Sequence, residues 1–423
     1  MNNFEQKCDT NYQNPVTCTP GAGEKGQPYQ RDDRQIYSLI NEEVSLPAAV
    51  IQQSRLNNNL DWMQRFATEH NVKLCPHGKT TMTPDFFSQQ LAHGAWGLTV
   101  ATAAQAEVAA LAGAKQIIIA NQLVGKANMA IVANLIKEKG VEVYTCVDSA
   151  LNVNALGAFF SQQEVKLNVL IEFGVEGGRC GCRTEEQVRE IATVIQQHSY
   201  LTLRGIEVYE GVIHGDDAEQ MIRNFLTQTL ELARSLEQTQ LITTKPIVTG
   251  AGSAWYDVVS ECFANLDDVT AIIRPGCYAI HDTGIYLDAQ DKVMARAKKN
   301  QGAACDLGGD LQSSLEVWAY VISRPEPTKL VAGIGKRDVA FDAGLPIPER
   351  AYRNGEAISV ASAVTTAVMD QHAFIEIDAD SELNVGDVIA FSTSHPCLTF
   401  DKWRAIAVCD DDYNVTHWVN TRF

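Results

Sequence analysis

Three parts of this chain carry residue types that could do chemistry. The first is residues 72–84, VKLCPHGKTTMTP, where a short apolar run leads into His77, Gly78 and Lys79 and then into a helix start. A primary amine held at such a place can act as a nucleophile toward a carbonyl group or as a base. The second is a set of glycine-rich segments. EFGVEGGRCGCR carries Arg179 and Arg183, and VYEGVIHG carries Tyr209, Glu210 and His214. VTGAGSAWYDV carries Gly250, Gly252 and Ser253, and RPGCYAIHD carries Gly276, Cys277 and Tyr278. Backbone N–H groups and a hydroxyl around Ser253, ahead of a helix expected to begin at Ala254, could cradle a phosphate. The third is residues 392–403, STSHPCLTFDKW, in which His395 and Cys397 lie two apart. On an extended backbone their side chains would leave one face and could meet a single ion. Each residue taken alone also has a bland reading: a solvated lysine, an arginine neutralising Glu172 and Glu176, a packed tyrosine, turn-forming glycines.

The elements that would position these groups follow from the pattern of apolar residues. Apolar runs at 72–76, 96–101, 116–121, 141–147, 167–173, 203–209, 245–250 and 268–275 alternate with amphipathic stretches such as 102–111, 126–139, 184–197 and 217–237. Strands without internal alternation, each followed by a helix, predict parallel strands buried on both faces. Eight such units predict a (β/α)8 TIM-type barrel, with Lys79 and the glycine loops on the strand-end rim where catalytic groups collect. A doubly wound sheet is the competing architecture, but no GxGxxG follows any of the strands. In the helix after Lys79, Thr83 is the expected N-cap and Pro84 the first residue, and Gly94 closes it.

After about Ala289 the texture changes to short strand-like runs, at 315–322, 339–341, 358–364, 374–377, 388–391 and 405–408. Turn signals separate them, which predicts a mostly antiparallel β domain. The expected organisation is a polar tail over 1–37, a strand over 38–53 that joins the C-terminal β domain, the barrel over 54–289, and the β domain over 290–423 with the candidate metal pair.

Composition narrows the class of partner. The chain has 423 residues, 45% hydrophobic and 20% charged, with a formal charge of −18. Such an acidic chain is unsuited to nucleic acid or anionic membrane surfaces. It contains no apolar stretch of membrane-spanning length and no secretory start, so a cytoplasmic protein acting on small molecules is expected. Eleven scattered cysteines fit reduced thiols, several packed as small hydrophobes.

PHGKT, ATAAQAE, the arginine after the fifth strand, YEG, VTGAGS and RPGCY, in that order from about Leu46 onward, resemble the fold-type III pyridoxal-phosphate enzymes of the alanine racemase superfamily, in particular the D-serine dehydratase and D-threonine aldolase branch. The resemblance implies that Lys79 holds the cofactor as a Schiff base. It also implies that Thr102 lies near the cofactor, Arg179 near its ring hydroxyl and Tyr209 beside its ring, with Ser253, Gly276, Cys277 and Tyr278 around its phosphate. The partner of the pyridine nitrogen stays open. YEGV departs from the branch's frequent YEGH, with His214 the nearest histidine. The branch also carries a metal pair at the position of His395 and Cys397. Thiolate and imidazole suit Zn2+, with Mn2+ or Mg2+ as harder alternatives. His with Cys resembles the dehydratases, whereas aldolases tend to His with Asp. The implied activity is metal-assisted dehydration and deamination of a D-3-hydroxy amino acid to a 2-oxo acid and ammonia, by a homodimer. A D-threonine aldolase-like lyase giving glycine and an aldehyde is the main alternative. A racemase or a non-catalytic pyridoxal-phosphate carrier is a more distant one.

Overall fold

The computed structural model describes residues 19–20, 23–28, 36–300 and 302–423. The tail expected over 1–37 therefore lies largely outside the described residues. Eight strands, Lys73–Leu74, Leu98–Val100, Gln116–Gln122, Glu142–Val147, Leu167–Phe173, Leu201–Val208, Ile247–Gly250 and Thr270–Ile273, form one sheet. All of its ladders are parallel: from the second to the eighth each strand pairs with the next in sequence, and the eighth also pairs with the first. The first and second strands meet through Trp96 N–H to Leu74 O at 2.7 Å and Thr99 N–H to Pro76 O at 2.8 Å, which closes the barrel. These strands are continuous apolar runs because both faces are covered. Ile118 packs with Cys75, Tyr144, Leu170, Ile247 and Ile272 in one cluster, while its neighbours Ile117 and Ile119 pack into the larger core that contains the helices.

Local signals set the helix ends. Ser149 and Thr184 accept hydrogen bonds from Asn152 and Gln187, which caps the helices Ala150–Gln163 and Glu185–Ile195. The helix Lys126–Lys139 stops at Gly140, whose φ of 63° is left-handed. Thr83 takes the N-cap position of Pro84–Ala92, but its hydroxyl donates backward to Thr81 O rather than capping.

The second sheet has eleven strands and is mostly antiparallel. Its long central strand, Leu315–Glu326, pairs antiparallel with Ala48–Gln52, Lys329–Ala332 and Val388–Ser392. The early strand Ala48–Gln52 also runs parallel to Ala405–Cys409, so the chain enters the β sheet before it enters the barrel. Three expectations change here. Residues 339–341 form no strand: Val339 and Ala340 are buried in a turn, with Ala340 N–H donating to Thr399 Oγ1. The run expected at 358–364 is the loop between two short strands, Glu356–Ile358 and Val364–Val368. The change of texture at Ala289 falls inside the helix Ile285–Asn300, which packs Val293 and Ala297 into the main core. Among the described residues no helix is long and apolar enough to cross a membrane.

Candidate active site

Loops from both ends of the barrel sequence meet around a cavity of about 150 Å3, lined by His77, Lys79, Arg179, Tyr209, Ser253 and Gly276 among others. Lys79 lies five residues past the first strand, in a single 3-10 turn, Gly78–Thr80. That turn is held by close packing. A Cβ on Gly78 would meet the Phe87 ring at 2.5 Å, and one on Gly276 would meet His77 O at 2.6 Å, so the loops after the first and eighth strands nest only because both positions are glycine. Burial, and then the charges of Lys79, Arg274 and Arg179, hold the His77 imidazole neutral, well below its usual pKa.

Eight of the residues singled out in the sequence, His77, Lys79, Arg179, Tyr209, Gly252, Ser253, Gly276 and Cys277, line this one cavity. The Arg179 guanidinium lies 4.0 Å from the centre of the Tyr209 ring. Arg183, by contrast, points back into its own loop and donates to the carbonyls of Gly178, Arg179, Cys180 and Gly181. The helix expected at Ala254 begins at Tyr256, which leaves Ser253 in the loop. There its Oγ accepts long hydrogen bonds from the N–H groups of Gly276 and Cys277, at 3.4 and 3.3 Å. Three residues are placed elsewhere. Thr102 is exposed and caps the helix Ala103–Leu111 by accepting from Gln105 N–H. The Tyr278 side chain is buried, its hydroxyl accepting from Gln90 Nε2 at 3.2 Å. His214 is exposed and does not line the cavity.

The sequence reading missed the charged floor of the cavity. Arg274 and Glu207 both line it, paired at 2.5 Å and almost completely buried. Arg274 Nε and Nη1 and Glu207 Oε2 have no protein partner. Below them Glu172 accepts from Gln122 Nε2 at 2.6 Å; burial and the neighbouring Glu207 raise its pKa to about 7. The donor atoms of Cys146, Glu172 and Glu207 lie within 4.8 Å of one another. A cation there would face the Arg274 charge, so a proton on Glu172 is the simpler way to neutralise the group. The signal was present: Arg274 stands two residues before Gly276 in RPGCY, and Glu207 stands two before Tyr209, on the same strand face. Glu210, the middle residue of YEG, is fully buried and accepts from Ala251 and Gly252 N–H at 3.1 and 2.7 Å, which fixes the glycine loop after the seventh strand.

An amine, two free guanidinium nitrogens and a hydroxyl with two amides at one end suit a phosphorylated aromatic aldehyde. The donor set thus fits pyridoxal phosphate.

His395 and Cys397, the candidate metal pair, converge by a different route from the one expected. His395 is the N-cap of a short helix, Pro396–Phe400, so Cys397 is brought round by a helix start and not by an extended strand. Cys397 Sγ lies 3.6 Å from Cys277 Sγ and 3.4 Å from Thr80 Oγ1, which puts it at the wall of the Lys79 cavity. The hydrogen bond with Cys277, followed by the imidazole of His395, draws the Cys397 thiol well below its usual pKa. Cys397 and then Asp342 push His395 up. The acidic residues near in sequence serve turns and surface contacts instead. Asp410 accepts from Asp412 and Asn414 N–H, Asp411 accepts from the Ser54 hydroxyl, and Asp401 pairs with Lys402.

Comparison with known proteins agrees with this fold. The family described as alanine racemase, N-terminal domain, matches residues 51–280, and the "Putative serine dehydratase domain" matches residues 314–409. A D-threonine aldolase of Arthrobacter sp is 25% identical over 374 residues, covering 87% of this chain and 90% of the relative. The crystal structure of D-threonine aldolase from Filomicrobium marinum superimposes with a TM-score of 0.73 at 22% identity, over 90% of this chain and 95% of its own. D-threo-3-hydroxyaspartate dehydratase from Delftia sp. HT23 does so with a TM-score of 0.70 at 22% identity, over 92% and 100%. The chain belongs to the alanine racemase N-terminal domain family, within the fold-type III pyridoxal-phosphate superfamily, with a serine dehydratase-type C-terminal domain.

Proposed function

We propose that this protein is a pyridoxal-phosphate- and metal-dependent lyase of D-3-hydroxy amino acids, and within that class a dehydratase releasing ammonia and a 2-oxo acid. The observation that carries the reading is Cys397: a thiol, not a carboxylate, beside His395 and in contact with the wall of the cavity that contains Lys79. When bound, the cofactor supplies an electron sink at Cα and a divalent cation supplies a Lewis acid for the β-hydroxyl. Ser253 Oγ and the Gly276 and Cys277 amides would bind the cofactor's phosphate, and Arg179 and Tyr209 would flank its ring. The Lys79 amine is the base that takes the Cα proton. His395 and Cys397 hold the cation, for which sulfur and imidazole favour Zn2+ over Mn2+ or Mg2+. The substrate is a small D-amino acid, and the protein works as a cytoplasmic homodimer.

A second reading, cleavage of the Cα–Cβ bond to glycine and an aldehyde, is favoured by the similarity to the Arthrobacter D-threonine aldolase. Product analysis on D-serine, D-threonine and D-3-hydroxyaspartate separates the two. Ammonia with a 2-oxo acid is expected; glycine with an aldehyde as the dominant products would overturn the dehydratase assignment.

A further inference from the structure

We propose that Cys277 is a third protein donor to the cation at His395 and Cys397, so that the site offers two thiolates and one imidazole and selects zinc. This rests on the metal-dependent reading above and adds a ligand and a cation class to it. Cys277 belongs to the barrel and Cys397 to the β domain, 120 positions apart, yet their sulfurs lie 3.6 Å from each other. Two thiolates bound to one zinc at about 2.3 Å in a tetrahedron stand roughly 3.8 Å apart, so the pair already has the spacing of a coordination edge.

The count of ligands points the same way. A catalytic zinc keeps three protein ligands and one open position, and His395 with Cys397 supplies only two. Asp342, the carboxylate at the pair, is engaged by His395 Nδ1 at 2.8 Å. Cys277 is buried, lines the Lys79 cavity and shares the Thr80 hydroxyl with Cys397, at 3.5 and 3.4 Å. That hydroxyl can donate to either sulfur as an outer partner. Among the described residues the three donor atoms do not all lie within 4.8 Å of one another. Binding therefore draws in the His395 ring, whose side chain is 22% exposed at the start of its short helix. The resulting site would tie the barrel to the β domain through the ion, with its fourth position open for a substrate oxygen.

Zinc-edge X-ray absorption on the cofactor-loaded protein counts sulfur neighbours directly. Two are expected in the wild type and one in Cys277→Ser, with zinc affinity in chelator competition reduced by more than the ~10–100-fold typical of losing an outer partner. A single sulfur in the wild type overturns the inference and leaves the His395–Cys397 pair standing, a result that needs no variant to fold. Zinc held unchanged by Cys397→Ser removes Cys397 from the site and with it the pair on which this inference rests; no zinc retained by the wild type overturns the metal-dependent reading itself.

Discussion

His395 Nδ1 lies 2.8 Å from Asp342 Oδ2, across 53 positions of sequence. A carboxylate on one ring nitrogen fixes the tautomer and aims the other nitrogen, and ligating histidines are usually held this way. Asp342→Ala is therefore expected to lower zinc affinity about 10- to 100-fold while leaving the cofactor's absorbance unchanged. Asp342→Asn, which keeps an acceptor oxygen, should recover part of the loss. Equal affinity in all three proteins, measured by chelator competition, would remove Asp342 from the site.

Lys79 is expected to carry the cofactor. Borohydride reduction followed by peptide mapping should fix the label on the peptide containing Lys79. Lys79→Ala should lose the visible absorbance and slow turnover by ~10²–10⁴-fold or more, the range for removing a positioned base. A label on a different lysine would contradict the assignment.

Glu210 shapes the end of the cavity proposed to take the cofactor's phosphate, without lining it, through its bonds to Ala251 and Gly252 N–H. Glu210→Gln keeps one acceptor oxygen but sets an amide NH2 against the other N–H, at a cost of about 1–3 kcal/mol. Cofactor affinity on reconstitution should fall roughly tenfold or more, with the rate of the saturated enzyme much less affected. A lower saturated rate at unchanged cofactor affinity would argue against this role.

Where local signals dominate, sequence and structure agree closely. The strand Leu167–Phe173 and the helix Lys126–Lys139 have the bounds expected from an uninterrupted apolar run and from the glycine that ends the helix. The β domain was harder to read. Ile347–Arg353, IPERAYR, is a strand whose polar residues hide the alternation, whereas Val339 and Ala340 are apolar because a turn is buried there. The site divides in the same way. Lys79, Arg179, Tyr209, Ser253, Gly276 and Cys277 announce themselves by motif. The pairs Arg274–Glu207 and Asp342–His395 join residues 67 and 53 positions apart, and no local pattern marks such contacts.

The buried Glu172 predicts a pH dependence of stability. Its pKa is raised from 4.5 to about 7, first by burial and then by Glu207. Between those values the unfolded chain releases a proton that the folded chain keeps. The contribution is full below about pH 4.5 and is lost as pH rises through 7, a change of order 1–3 kcal/mol. Glu172→Gln should flatten the denaturation midpoint against pH in that window, while an unchanged slope would assign the proton elsewhere.

Cys397→Asp replaces the thiol with a carboxylate, the pairing that the resemblance gives to the aldolases. A thiolate favours zinc and a carboxylate a harder ion such as Mn2+, so the order of activation by the two metals should invert. The chemistry should follow the ligand. Dehydration needs a strong Lewis acid to take up charge on the departing hydroxyl, whereas retro-aldol cleavage keeps that oxygen and needs it deprotonated. Glycine and aldehyde should therefore rise relative to ammonia and the 2-oxo acid when the variant is assayed with Mn2+ on D-threonine. The change leaves Lys79, Arg179 and Tyr209 in place, so cofactor absorbance serves as the control. If the variant binds Mn2+ and yet keeps the wild-type product ratio, the ligand does not decide between the two reactions, and the dehydratase assignment loses the observation on which it rests.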